Sequence, residues 1–115
     1  MFAGLLPSWS AAAAQDVASE VEGLAALERR TEGALAKLDT MIAGAETRAA
    51  GYLQRSGETD DAALGEQLLN LHLQAVQQLN ALKSLREDVR RQLAELRATR
   101  NRLSAKRPAR GTSGD

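Results

Sequence analysis

The sequence predicts an all-α fold in which two long helices pair as an antiparallel coiled-coil hairpin. Apolar residues recur at alternating steps of four and three along two stretches, which is the spacing of a single helical seam. A short polar break at residues 56–60 separates the two stretches. Residues 1–61 contain ten acids and five bases (net −5), whereas residues 62–115 contain five acids and ten bases (net +5). Opposite charges on two stretches of similar length favour a helix that folds back on its neighbour.

Helix 1 is predicted from about residue 11 to residue 55. Glu28 and Thr31 are the polar interruptions of its seam, and Leu27, Ala34 and Met41 flank and widen it. No alternating pattern of the kind that β-strands need competes with this reading. The apolar and aromatic members of the predicted seam are Val17, Val21, Leu24, Leu35, Leu38, Ile42, Ala45, Ala49 and Tyr52.

The break and helix 2 follow from local signals. Gly57 suits the left-handed conformation that often ends a helix, and Thr59 or Asp60 can cap the next one. Helix 2 is predicted from about residue 61 to residue 105, and residues 106–115, which contain Pro108, are predicted to be disordered. Its predicted seam consists of Leu68, His72, Ala75, Leu79, Leu82, Arg86, Val89, Leu93, Leu96, Arg100 and Leu103.

A short loop makes the two helices antiparallel neighbours, with facing residue numbers that add up to about 116. This register places Glu28 beside Arg86 and Arg90, and Asp16 near Arg97. His72, on the helix 2 seam, is interpreted as a polar group that fixes the register. An alternative with the same contacts is an opened hairpin that pairs with a second chain.

Residues 1–10 are predicted to form a separate apolar segment. Its large side chains, Phe2, Leu5, Leu6 and Trp9, follow the i, i+3, i+4, i+7 spacing of peptides that dock one helical face into a groove. Alternatives are contact with the base of the same hairpin or a frayed terminus. A cropped secretory signal is disfavoured, because the segment has no basic region and only a short apolar core.

Helix 2 has a second set of apolar residues that helix 1 cannot cover. Leu69, Leu73 and Val76, with Leu64 at the start, lie away from the seam, and Gly44 and Gly51 give helix 1 a smooth outer surface. We therefore predict that these residues bind a partner helix, from a second copy or from another protein. The alternative is a moderately apolar surface with no partner.

The end of helix 2 and the tail are rich in bases. Such a run can bind phosphates or an acidic surface, but no aromatic residue is interleaved to stack on bases. A solvated helix end that faces the acidic start of helix 1 is favoured over nucleic-acid binding. The six bases are Arg97, Arg100, Arg102, Lys106, Arg107 and Arg110.

The sequence contains no Cys, a single His, no phosphate-binding glycine loop and no nucleophile motif. We expect no enzymatic activity, no cofactor and no metal site. No stretch approaches the ~18 apolar residues that span a bilayer, and a cytoplasmic location is expected, with the nucleus as an alternative and secretion disfavoured. The predicted function is a protein-protein interaction module, a structural or adaptor subunit of a larger helical assembly. Alternatives are a module that binds nucleic acid or an acidic surface, and a chaperone that shields a client helix.

Overall fold

The computed structural model describes the backbone of residues 2–106 and the side chains of residues 15–106. It contains two helices, α1 (Phe2–Glu58) and α2 (Ala62–Ala105), and no strand lies within the described residues. The prediction of an all-α hairpin of two long helices is confirmed. The tail predicted to be disordered lies outside the described residues, apart from Lys106.

The hairpin divides into two compact units. The loop unit comprises Gly33–Arg90, and the terminal unit comprises the described residues up to Glu32 and from Arg91 onward. Each unit therefore contains a segment of α1 and a segment of α2.

The predicted seams form the interior of both units. Every predicted seam position is buried or partly buried, including the polar Glu28 and Thr31. In the terminal unit, Glu28 and Leu93 are buried. In the loop unit, the buried residues are Leu38, Ile42, Ala45, Ala49, Leu68 and Ala75. A spacing of four and three residues thus marks the interior correctly on both helices.

Helix α1 begins at Phe2, so residues 2–10 are not the separate segment predicted from the sequence. The physical reason lies in the run Ala11–Ala14, since alanine has the highest helix propensity and carries the helix upstream without a break. Pro7 lies within the first two turns of α1.

The end of α1 corrects the prediction for Gly57. The helix continues through Gly57 to Glu58, and no described glycine has a positive φ. The Gln54 side chain donates to the Glu58 carboxylate at 3.0 Å, and the Thr59 N–H donates to the Arg55 carbonyl at 3.2 Å. These bonds of helical spacing keep the last turn right-handed, so no glycine cap is required.

The N-cap of α2 is Asp61 rather than Thr59 or Asp60. Its Oδ1 accepts the N–H groups of Ala63 at 3.0 Å and Leu64 at 3.2 Å, which otherwise have no partner within the helix. The Thr59 hydroxyl oxygen instead accepts the N–H of Asp61 at 3.2 Å and orders the connection.

The predicted register is therefore wrong by about one helical turn. Because α1 ends three residues later than expected, facing residue numbers add up to about 121, as in the contact between Ala49 and His72. Glu28 accordingly meets Arg97 and Arg100 instead of Arg86 and Arg90.

Candidate functional site

The interior of the loop unit contains a histidine that makes a polar contact between the helices. His72 Nδ1 lies 2.7 Å from the carbonyl oxygen of Ala49, and because a carbonyl can only accept, the Nδ1–H is the donor. Ala49 is buried and Ala75, one turn further along α2, is also buried, so the ring lies against a close-packed backbone. His72 thus links α2 to one particular residue of α1, consistent with its predicted role in fixing the register.

The interior of the terminal unit contains a buried carboxylate. Glu28 is only 6% exposed, and its Oε2 lies 2.7 Å from Arg100 Nε while its Oε1 lies 3.8 Å from Arg97 Nε. The two atoms of the Arg100 contact are close enough for an ion pair, but they are not aligned for a hydrogen bond. Glu28 Oε2 and Arg100 Nε are both buried, and neither makes a hydrogen bond. Arg97 also donates to Glu32 at 2.9 Å. The four side chains form a charged cluster at the position where Glu28 interrupts the apolar seam.

This cluster includes two residues of the predicted basic patch. Arg97 and Arg100 are paired with Glu28 and Glu32, and Arg102 donates to the hydroxyl of Thr99 at 3.1 Å. Lys106 is the last described residue and is exposed. The remaining bases of the patch, Arg107 and Arg110, lie outside the described residues.

Exposed apolar side chains are concentrated in the loop unit. Eight large hydrophobic residues of the described chain are exposed, and Leu27 is the single one that belongs to the terminal unit. The most exposed are Leu73 at 58% and Met41 at 53%. The full set in the loop unit is Met41, Leu53, Leu64, Leu69, Leu71, Leu73 and Leu85.

These residues form two rows, one on each side of the seam. At 100° per residue, Leu64, Leu71 and Leu85 share one side of α2, whereas Leu69 and Val76 share the other. Leu64 is five residues from Leu69, or about 140° around α2, so the prediction that it belongs to the same row is wrong. We call the side with Met41, Leu64, Leu71 and Leu85 the first flank, and the side with Leu53, Leu69, Leu73 and Val76 the second flank.

The first flank contains an open cleft of about 620 Å³. Met41, Gly44 and Leu85 lie along it, which places the exposed side of α1 next to that of α2. The remaining lining residues are Thr40, Arg48, Gln78, Ala81 and Leu82. Its walls are apolar apart from the Thr40 hydroxyl, the Arg48 guanidinium and the Gln78 amide, and none of the eight lining residues has a carboxylate or an imidazole.

The two glycines predicted to bind a partner are not required by contacts within the chain. A Cβ added to Gly51 would meet no atom within 4 Å, and one added to Gly44 would meet only the flexible end of Arg48 at 3.4 Å. Glycine costs about 1 kcal/mol relative to alanine inside a helix. Both positions therefore leave an unfilled outer surface on α1 at a cost to helix stability.

Sequence reasoning identified Leu69, Leu73 and Val76 but missed Leu53, Leu71 and Leu85. The signal was present, because Leu71 and Leu85 follow Leu64 at multiples of seven residues, which keeps them on one side of α2. The side chains of Phe2, Leu5, Leu6 and Trp9 lie outside the described residues, and their docking role stays a prediction.

Comparison of the chain with protein-family models, curated proteins and solved structures finds no match. Within the described residues, neither helix contains a segment long and apolar enough to cross a membrane. The same residues contain no group of three His, Asp or Glu side chains that could hold a metal ion. The geometry of the hairpin itself is thus what bears on function.

Proposed function

We propose that this protein is a non-enzymatic protein-protein interaction module, a structural or adaptor subunit of a larger helical assembly. One observation carries the proposal: the loop unit has a closed apolar seam and, in addition, an exposed apolar row on each flank. The apolar residues of the seam are sufficient to pair the two helices, and the rows on the flanks are additional.

Helices that pair only with each other usually have charged residues beside the seam, whereas helices inside bundles have apolar residues there as well. The terminal unit follows the first pattern, with Glu32 and Arg97 beside the seam. The loop unit follows the second, with Met41 and Leu71 on one side and Leu69 on the other. Burial of the exposed half of each such side chain contributes roughly 1 kcal/mol, so several together support stable docking.

Site-specific photo-crosslinking tests the proposal. We expect a photoreactive amino acid at Met41 or Leu73 to capture protein in the producing cell, because both positions would lie within an interface. The matched control is the same probe at Glu22, an exposed position of the terminal unit. The proposal fails if neither flank captures any protein, including further copies of the chain, or if Glu22 captures the same adducts with equal yield.

A chaperone that shields a client helix would use the same two flanks, and it stays an alternative proposal supported by the same exposure. The two are separated by the lifetime of the crosslinked complexes: a subunit keeps its neighbour through purification, whereas a chaperone exchanges its client. Binding to nucleic acid or an acidic surface has less support, because Glu28 and Glu32 already neutralise the charges of Arg97 and Arg100.

A further inference from the structure

We infer that the neighbour of the loop unit is another copy of the same chain, with the first flank of one copy on the second flank of the next and both loops at the same end. This inference rests on the proposed function and specifies its partner. Three features of the loop unit support it: the opposite charges of the two flanks, the matching levels of those charges along the helices, and the distribution of leucines.

The two flanks of α1 have opposite charge within the loop unit. Arg48 and Arg55 follow Met41 at steps of seven residues, so they share its side of the helix. Asp39 and Glu46 precede Leu53 at the same steps and share the other side. All four charged side chains are exposed. Asp39 lies 3.4 Å from Arg86 yet remains 58% exposed, so a second base can reach it.

The helix α2 does not cancel this difference. Along its first flank, Leu64, Leu71 and Leu85 are accompanied by the uncharged Gln78. On its second-flank side, Arg86 is ion-paired with Asp39, and the other two bases and two acids are balanced. These are Lys83, Arg90, Glu66 and Glu87. The first flank of the loop unit is thus apolar and basic, and the second flank is apolar and acidic.

Opposite charges also occur at matching levels. Arg48 is two residues from Glu46, and Lys37, four residues before Met41 and on its side, is two residues from Asp39. Each offset is about 3 Å along the helix axis. On α2, Leu71 of the first flank lies midway between Leu69 and Leu73 of the second. Two copies stacked in the same direction therefore bring Lys37 and Arg48 of one copy to the level of Asp39 and Glu46 of the next. They also bring Leu71 to the level of Leu69 and Leu73.

Self-pairing of one flank with α1 on α1 is disfavoured by the same charges. In that arrangement a first flank against a first flank brings Arg48 and Arg55 of one copy toward the same bases of the other, and a second flank against a second flank brings acids together. A contact between two different flanks is heterologous, so each copy keeps one flank free for the next copy. The assembly then grows into a ring or a filament.

Sedimentation velocity of purified variants tests this inference. The first-flank variant carries Met41→Glu and Leu71→Glu, and the second-flank variant carries Leu69→Glu and Leu73→Glu. We expect the wild type to exceed the 12.3 kDa monomer mass increasingly with concentration, and each variant alone to remain a monomer. A 1:1 mixture should form a species of twice the monomer mass and nothing larger, because each partner retains the flank that the other needs.

Two controls keep these outcomes interpretable. Leu27→Glu places the same charge at the exposed leucine of the terminal unit and should leave association unchanged. Circular dichroism should show equal helix content in all variants, since every substituted side chain is exposed. A charge exchange sharpens the result: Arg48→Glu and Glu46→Arg should each weaken association about tenfold, and the double variant should regain most of it.

The inference is overturned if the wild type stays a monomer at high micromolar concentration, if either variant alone still forms dimers, or if the mixture does not associate. A monomeric wild type with Met41 and Leu73 crosslinked to a different protein contradicts the self-stacking but leaves the proposed function intact. A monomeric wild type with no crosslinks at either flank contradicts both.

Discussion

The terminal unit and the loop unit use the same two helices but fill the space between them with different chemistry. In the terminal unit a buried Glu28 lies between Arg97 and Arg100, and the side chains next to the seam are largely polar. In the loop unit the seam is largely apolar, with His72 and Arg86 as polar members, and apolar rows continue onto both flanks. One hairpin thus combines a region whose charged groups pair within the chain with a region whose apolar groups remain exposed.

The largest expected effect is the loss of a buried side chain from either seam. Ile42→Ala in the loop unit and Leu93→Ala in the terminal unit should each lower the free energy of unfolding by about 2–4 kcal/mol, because both residues are buried and truncation leaves a cavity. Urea denaturation followed by circular dichroism at low micromolar concentration measures this. Leu53→Ala is the control and should cost about 1 kcal/mol or less, because only half of this side chain is buried in the hairpin. Equal losses at Ile42 and Leu53 would show that the apolar seam does not hold the loop unit.

The next effect concerns the buried carboxylate of the terminal unit. Glu28→Ala should cost about 1–3 kcal/mol, because it leaves Arg97 and Arg100 without their acid, although both are partly solvated. Glu28→Leu should be neutral or stabilising, since an apolar residue fits the seam pattern without the cost of desolvating a charge. Urea midpoints in low and high salt measure both, and the salt dependence of the wild type should shrink in Glu28→Leu. A Leu variant as unstable as the Ala variant would mean that the ion pairs themselves stabilise the unit.

His72 gives a smaller effect in the loop unit. His72→Ala removes the 2.7 Å hydrogen bond to the Ala49 carbonyl and should lower the free energy of unfolding by about 1–2 kcal/mol. Thermal and urea denaturation measure this change. Gln74→Ala, two residues away and exposed, is the matched control, with an expected change within about 0.5 kcal/mol. If both variants have equal stability, the imidazole contact contributes nothing to the register.

The smallest effect is a gain of stability at the glycines. Gly51→Ala in the loop unit and Gly23→Ala in the terminal unit should each raise the free energy of unfolding by up to about 1 kcal/mol, because neither added methyl group meets an atom within 4 Å. Urea midpoints of the monomeric chain measure this gain. Association measured at higher concentration separates the units: Gly51→Ala should weaken it and Gly23→Ala should not. A weakened association in Gly23→Ala would move the interface away from the loop unit.

Most of the fold could be predicted because the spacing of apolar residues directly reports which side of a helix is buried. Spacing alone predicts that Leu38, Ile42 and Leu68 lie in the seam, and all three are buried. The register could not be predicted, because it depends on where α1 ends. That end is set by bonds such as Gln54 to Glu58, which local residue preferences at Gly57 do not reveal.

The exposed surface was only partly predictable for a related reason. Exposure of Leu69 and Leu73 follows from their angle to the seam, and the structure agrees. Leu64 does not share their row, because positions five residues apart are separated by about 140° around the helix. Which acid meets which arginine likewise depends on the register, so Glu28 was matched with the wrong partners.

Three alanines at the centre of the loop-unit seam affect how much apolar surface stays exposed beside it. Ala45 is fully shielded from solvent, and Ala49 and Ala75 are nearly so. Methyl groups at these positions let the two backbones come close, and the gap between them is then too shallow to admit the bulkier side chains on either side. The exposed apolar surface of the loop unit thus follows from the small side chains at the centre of its seam. Larger residues at these alanine positions should move the helices apart, bury more of the neighbouring leucines and weaken association with a partner.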